Sequence, residues 1–101
     1  MNRLDLQKED VAFILDKSYR YFPAMVKGVY CNHCKSSYMT ALVDYTICLT
    51  HEDDILLEGF CSHCRRPLKR RIETGEKEEP QLRAYATRLV KAQLQLSLGS
   101  K

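Results

Sequence analysis

The sequence of 101 residues has no tryptophan and no long apolar run. Within the N-terminal segment the longest fully apolar stretch runs only from Val11 to Leu15, far short of the about 18 residues that suggest a membrane span. Its first ten residues carry scattered charges and lack the apolar core of a secretory signal. These absences argue against a membrane or secreted protein. We therefore expect a cytoplasmic protein, whose cysteines stay reduced.

The common catalytic motifs are also missing. The chain has no glycine-rich phosphate loop, no nucleophile elbow and no pair of carboxylates in an evident pocket. Zinc deaminases use a His-x-Glu element followed by Pro-Cys-x2-Cys, and neither element occurs here. The sequence therefore predicts that this chain is not an enzyme and takes no small-molecule substrate.

What the chain does contain is two near-copies of one short pattern, at Tyr30 to Lys35 and at Phe60 to Arg65. Each copy reads aromatic residue, Cys, small polar residue, His, Cys, basic residue. The two C-x2-C pairs are separated by 26 residues, which is the spacing of a four-thiolate metal site. Two residues between cysteines let the chain turn tightly, so that both sulfurs face one ion. The predicted ligands are Cys31, Cys34, Cys61 and Cys64; the alternative is two disulfides or unliganded core cysteines.

Each C-x2-C turn is called a knuckle below. Because of its two knuckles, the segment 28–72 resembles the zinc-ribbon class, in which two cysteine knuckles on β-hairpins bind one zinc ion. The resemblance covers less than half of the chain and identifies no particular family. It implies one zinc ion on the four cysteines, with iron as the alternative because rubredoxins have similar spacing. In the commonest ribbon form a glycine follows the second cysteine, since that position often has positive φ. Lys35 and Arg65 stand at these two places.

The flanking segments predict the rest of the fold from their apolar periodicity. The predicted elements are an N-terminal amphipathic helix over 4–22, strands at 38–50, 55–60 and 67–73, and a C-terminal helix over 80–98. We therefore predict a single α+β domain over 1–101, in which a zinc ribbon of two or three antiparallel strands, 28–73, lies between two helices. Pro23 is expected to stop the first helix, because the residue before a proline avoids the helical region.

Two polar features of the predicted hairpin receive structural interpretations. Cys48 belongs to neither knuckle and lies out of phase with the main apolar row of its strand, so we interpret it as a small buried or half-buried residue and not as a fifth ligand. The turn from His51 to Asp54 could be a metal or acid–base site, but a charged hairpin tip is usually solvated.

Positive charge is concentrated after the second knuckle. Residues 65–101 carry a balance of +6 and residues 1–64 a balance of −3, which together give the net +3. A four-thiolate zinc site would add −2 and leave about +1, so the overall charge does not by itself indicate nucleic acid. The local candidates for phosphate contacts are Arg66, Lys69, Arg70 and Arg71.

Alternation along a strand sets which of these basic residues share a face. Lys69 and Arg71 should lie opposite the inward-facing Leu68 and Ile72, so they are the principal predicted contacts. Two alternatives remain open: Arg65 and Lys35 offset the charge of the metal site, or the basic residues form the solvent side of a strand.

The predicted C-terminal helix has an apolar seam with heptad spacing. Its members are Leu82, Tyr85, Leu89, Ala92 and Leu96. The seam either packs on the first helix or forms a surface for a partner or a second copy. The sequence thus leaves two functions: a small zinc-ribbon protein that binds nucleic acid in a regulatory or accessory role, or a protein-interaction adaptor or homodimer assembled through its amphipathic helices.

Overall fold

The chain is α+β in the computed structural model, which describes residues 4–36, 40–74 and 79–99, with side chains as far as Gln93. One antiparallel sheet has the order β1-β2-β3-β4. Its strands are β1 (Leu4–Leu6), β2 (Leu42–Leu49), β3 (Ile55–Cys61) and β4 (Pro67–Ile72). The helices are α1 (Lys8–Leu15), α2 (Phe22–Met25) and α3 (Glu79–Gly99), with a 3-10 helix at Asp16–Tyr21. No helix in the described ranges is long and apolar enough to cross a membrane.

The N-terminal region differs from the single helix predicted over 4–22. Residues Leu4–Leu6 form a fourth strand, which pairs antiparallel with the end of β2. Here Leu6 is buried and Asp5 is exposed, the period of two that a half-buried strand shows. The helix begins only after Gln7, whose backbone N–H donates to the carboxylate of Asp10 at 2.8 Å, satisfying one polar group at the helix start.

Pro23 does not stop the helical region as predicted. It lies in the first turn of α2, where its missing N–H would have had no partner within the helix. The short α2 then continues the helical path to Met25. The side chain of Phe22 is buried and meets the ring of Tyr45 on β2 edge-on, with the ring centroids 6.4 Å apart. The end of the helical region is therefore anchored on the sheet.

A single apolar cluster joins one face of the sheet to α1. Its fully buried members include Val11 and Ile14 from α1, and Leu49, Ile55 and Leu57 from the central strands. Each such side chain contributes on the order of 2 kcal/mol through removal from water. The buried cysteines of both knuckles belong to the same cluster, so the cysteine end of the molecule is continuous with the hydrophobic core.

A β-bulge bends the β2–β3 hairpin at Gly59. Asp44 and Tyr45 together lie opposite this one residue, because the register shifts between Val43 and Thr46. Asp44 takes a left-handed conformation with φ of 51°. A Cβ atom on Gly59 would lie 2.5 Å from the carbonyl oxygen of Val43, so only glycine fits here. The bulge increases the local twist just before β3 enters the second knuckle.

The turn between β2 and β3 is solvated at His51 and Glu52, but the carboxylates of Asp53 and Asp54 are half-buried and bonded to the rest of the fold. Asp54, with a side chain only 16% exposed, accepts hydrogen bonds from Arg71 Nε at 3.0 Å and from the backbone N–H of Thr74 at 3.1 Å. Asp53 accepts from Arg88 Nε at 2.8 Å. These acidic residues therefore join the end of β4 and the helix α3 to the turn.

Helix α3 packs on α1, but not through the predicted seam. Ala84 and Thr87 are buried on the inner side, and their small side chains let the helices approach closely. By contrast, Leu82, Tyr85 and Leu89 are 60%, 52% and 51% exposed. Ala92 is also exposed, and the side chain of Leu96 lies outside the described residues. The seam therefore faces outward along the part of α3 whose side chains are described.

Candidate metal centre

Each cysteine pair is carried by a turn that two backbone hydrogen bonds close. The residue four positions after the first cysteine donates its N–H to that cysteine's carbonyl, at 2.7 Å from Lys35 to Cys31 and at 2.9 Å from Arg65 to Cys61. The N–H of the first cysteine donates in return to the carbonyl one residue further along, at 3.0 Å and 2.8 Å. The two turns thus share one backbone geometry, as their matching sequences predict.

The residue after the second cysteine of each knuckle has positive φ. Lys35 has φ of 54° and Arg65 has φ of 66°, in the left-handed region that glycine occupies without steric strain. For a residue with a Cβ this conformation costs about 1–2 kcal/mol. The chain therefore adopts the knuckle turn although it lacks the glycine of the commonest ribbon form.

The four sulfurs are arranged as a tetrahedral ion requires. Cys31 Sγ lies 3.6 Å from Cys64 Sγ, Cys34 Sγ lies 3.9 Å from Cys61 Sγ, and all four lie within 4.8 Å of one another. Zinc–sulfur bonds of about 2.3 Å in a tetrahedron place the sulfurs about 3.8 Å apart. None of the cysteines forms a disulfide. The four cysteines can therefore hold one metal ion, as the sequence predicts.

The first cysteine of each pair is sealed from water, whereas the second is half-buried. Backbone N–H groups point at the inner sulfurs, from Cys34 to Cys31 Sγ at 3.5 Å and from His63 to Cys61 Sγ at 3.4 Å. Donation from the Cys64 and His63 N–H groups lowers the pKa of Cys61 to about 6.

The rest of the sulfur cluster resists a further negative charge. Desolvation, together with hydrogen bonds among the crowded sulfurs, raises the pKa of Cys34 to about 12. A divalent cation would stabilise all four thiolates at once, and the geometry of the four sulfurs fits such an ion.

A short segment before β2 holds the knuckles together. In the second knuckle, Ser62 N–H donates to the Ala41 carbonyl at 2.8 Å, and Ser62 Oγ accepts from Ala41 N–H at 3.0 Å. Toward the first knuckle, Thr40 Oγ1 donates to the Val29 carbonyl at 2.7 Å. Residues 40 and 41 thus bond to both knuckle regions and fix the two cysteine pairs relative to each other.

The basic residues predicted to contact nucleic acid are all exposed; Lys69, Arg70 and Arg71 lie on the edge strand β4, and Arg66 directly precedes it. Lys69 and Arg71 lie on one face of the strand, since Leu68 and Ile72 are buried on the other, as predicted. Both are engaged within the chain: Lys69 Nζ lies 3.5 Å from a Glu58 oxygen, and Arg71 donates to Asp54 as described above.

The other two predicted basic residues are differently placed. Arg66 and Arg70 form no ion pair with any residue in the described ranges. Arg70 pairs in register with Leu57 on the core side, and its side chain reaches water because β4 is the outer strand. These two guanidinium groups are therefore better placed than Lys69 and Arg71 to meet an external anion.

The knuckle flanks add aromatic surface that the sequence alone did not assign. Tyr30 and Phe60 each directly precede the first cysteine of a knuckle and are 56% and 43% exposed. His33 and His63, inside the knuckles, are also exposed. The signal for these residues was their repetition at equivalent positions of the two copies.

Comparisons with protein-family models, with curated proteins and with solved structures found no match. The four-cysteine cluster is consistent with a zinc-ribbon-like site, and no family is identified. The functional argument therefore rests on the geometry of this chain.

Proposed function

We propose that this protein is a zinc-stabilised domain that binds single-stranded nucleic acid through its knuckle end, in an accessory or regulatory role. The observation that carries the proposal is the pair of exposed aromatic rings, Tyr30 and Phe60, placed at equivalent positions beside the metal centre. Basic residues accompany them on both knuckles. A cytoplasmic location suits the proposal, because a four-thiolate site needs reduced cysteines.

The metal in this proposal is zinc with a structural role. Four thiolates in a tetrahedral arrangement suit zinc, and a full set of cysteine ligands leaves no open position for a reactive water. The alternative ion is iron, which the same four sulfurs can ligate. We accordingly propose that the chain supplies binding and not catalysis.

The aromatic rings and the basic residues belong to one end of the molecule. Tyr30 and Phe60 each neighbour a ligand of the same sulfur cluster, whose members lie within 4.8 Å of one another. Lys35, Arg65 and Arg66 follow the second cysteines and are exposed. Aromatic rings that stack bases, beside cations that meet phosphates, are the elements that sequence-tolerant single-strand binding uses.

Single strands fit this surface better than a duplex. Stacking on Tyr30 and Phe60 requires bases that are free of their neighbours, at about 1–3 kcal/mol per stacked base. Duplex readers usually insert a helix or a β-ribbon into the major groove. Among the described elements the one long helix, α3, shows an apolar outer face instead of basic side chains. The knuckle end is therefore proposed as a stacking surface.

The proposed phosphate contacts are Arg66, directly before β4, and Arg70 within it. A phosphate that meets Lys69 or Arg71 must first displace Glu58 or the carboxylate of Asp54, whereas Arg66 and Arg70 have no such competitor among the described residues. Each lost phosphate contact should reduce the slope of log K against log salt by about 0.7 on a single strand.

The test is a salt titration of zinc-loaded protein with a labelled single-stranded oligonucleotide of mixed sequence. The double variant Arg66→Ala/Arg70→Ala should lower the slope by about 1.4 and weaken binding to every sequence alike. Tyr30→Ala/Phe60→Ala should weaken binding at least about tenfold with an unchanged slope, because stacking involves no counterion release. A matched control is Tyr21→Ala, a ring 53% exposed but remote in sequence from any cysteine, which should bind normally.

Three results would contradict all or part of the proposal. One is wild-type protein with full zinc content that shows no salt-sensitive binding at low ionic strength. The second is equal loss in Tyr21→Ala and in the knuckle double variant, which would indicate non-specific aromatic contact. The third, tighter binding to duplex than to single strands, would overturn the choice of ligand while keeping the role of the basic residues.

A further inference from the structure

From Leu82 to Gln93 the outer face of α3 is apolar and carries no charge; the exposed Glu79 of the first turn pairs with Arg83. From Leu82 to Gln93, the exposed residues include Leu82, Tyr85, Leu89 and Val90, and the others are alanine or glutamine. Val90 is 58% exposed. A surface helix normally turns its charged residues to water and its apolar stripe to the core. The outer face of α3 therefore has the composition of a buried surface.

The charged residues of the same helix face the body of the protein instead. Arg83 Nε donates to the Ile14 carbonyl at 3.2 Å, and Arg88 Nε donates to Asp53 at 2.8 Å. Lys91 Nζ lies 3.1 Å from an oxygen of Asp10. All three basic residues between Leu82 and Gln93 are thus used within the chain. This inversion of the usual pattern leaves only apolar and uncharged groups for an external contact.

We propose that the outer face of α3 binds the same face of a second copy of this chain, giving a two-fold symmetric dimer. The seam of Leu82, Tyr85, Leu89 and Ala92 alternates steps of three and four, the spacing that packs against a helix with the same spacing. In a two-fold contact the same patch of both copies meets, with each residue against a different residue of the other copy except at the axis. A charged face would repel its copy, and this face has no charge to do so.

The absence of charge also favours a second copy over an unrelated partner. Selective binding between different proteins commonly uses complementary charge to choose the partner. Here the flanks of the seam offer no such charge. Arg88 is bonded to Asp53, whereas Gln81 and Gln93 are neutral. Shape and apolar area remain as the source of specificity, and a helix of matching spacing is available in α3 itself.

The available area sets the strength of the dimer. Four large side chains that are half exposed or more offer on the order of 100 Å² each, so two copies bury roughly 800–1,000 Å² when the alanines between them are included. This lies at the lower end for specific interfaces. The dimer should therefore be reversible, with a micromolar dissociation constant (roughly −8 kcal/mol).

The experiment is sedimentation equilibrium of zinc-loaded full-length protein from about 1 µM to about 1 mM, a range that brackets micromolar dissociation. The weight-average mass should rise from 11.8 kDa toward twice that value. Leu89→Lys should weaken association at least about tenfold, because it places two like charges across the two-fold contact. Tyr21→Lys, which adds the same charge at another exposed ring, should associate like the wild type.

Zinc content and the circular dichroism spectrum show whether each variant is folded. If Leu89→Lys loses structure, the milder Leu89→Gln and Tyr85→Gln should still weaken association without loss of zinc. A wild-type protein that stays at 11.8 kDa throughout, or a Leu89→Lys variant that is folded and dimerises normally, would overturn the proposal and leave the face to a different protein. None of these outcomes depends on nucleic-acid binding.

Discussion

Lys35 and Arg65 adopt the same left-handed backbone conformation at the same position of the two knuckles, with φ of 54° and 66°. In both turns the N–H of this residue donates back to the carbonyl of the first cysteine. The turn thus determines the conformation, whatever residue the sequence supplies. Each position stores steric strain that a glycine would not have.

The first prediction is that Lys35→Gly and Arg65→Gly each stabilise the zinc-loaded protein by about 0.5–1 kcal/mol. Relief of the left-handed strain should exceed the entropy that glycine adds to the unfolded chain. Urea unfolding at fixed zinc concentration measures the change. The matched control is His33→Gly, an exposed residue of the same knuckle without positive φ, which should destabilise. Equal effects at His33 and Lys35 would contradict the argument.

The second prediction concerns metal content. Purified protein should hold one zinc ion per chain, and Cys61→Ser should lose the ion and unfold residues 28–72, because the four thiolates meet only in the folded chain. Elemental analysis measures the content, and wild type below about half an equivalent of zinc or iron would refute the site.

Cys48→Ala provides the control for the cysteine substitution. Cys48 is buried in β2, where it pairs in register with Asp5 and Leu56, away from the sulfur cluster. The variant should keep its full metal content and lose at most about 1–2 kcal/mol of stability through a small packing defect. Loss of metal would show that the ligand set is wrong.

Gly59→Ala should be among the most damaging single changes, with a loss of about 3 kcal/mol. The added Cβ meets the carbonyl oxygen of Val43 at 2.5 Å and Cα of Tyr45 at 2.8 Å. Both atoms are backbone, so relief requires opening the bulge. Thermal unfolding can compare it with Gly28→Ala, where positive φ should cost only about 1–2 kcal/mol. A loss below that of Gly28→Ala would show that the hairpin rearranges freely.

The last prediction separates a structural from a binding role for Arg71. Asp54→Ala should cost about 2 kcal/mol, because it leaves the Thr74 N–H without its acceptor and the Arg71 guanidinium with Glu52 alone. A double-mutant cycle of Asp54→Ala and Arg71→Ala in urea should give a coupling energy of about 1 kcal/mol. No coupling, together with a reduced salt slope for Arg71→Ala, would indicate that Arg71 contacts phosphate and not Asp54.

The sequence predicted the four-cysteine cluster that could hold a metal ion, because the C-x2-C spacing lets each knuckle close within a few residues. It missed β1, because Leu4 to Leu6 are too few to show a period distinct from the helix that follows. The sequence indicated the apolar seam of α3 but not that this seam faces away from α1. The side of α3 that faces α1 depends on contacts such as the hydrogen bond from Arg83 to Ile14. These residues are 69 positions apart, so no local sequence pattern predicts the contact.

The pairing of β2 with β3 also has a kinetic consequence for metal capture. The register places Cys61 opposite Leu42. When the hairpin closes at residues 50–54, it therefore brings the second knuckle next to the start of β2, which follows the first knuckle in the chain. Hairpins form in about 1–10 µs. We expect this to be faster than a random search by which two distant thiol pairs would find each other. We therefore expect the hairpin to act as a template for ion uptake. Damage at its turn should slow zinc loading from the opposite end of the sheet, even where the four ligands are intact.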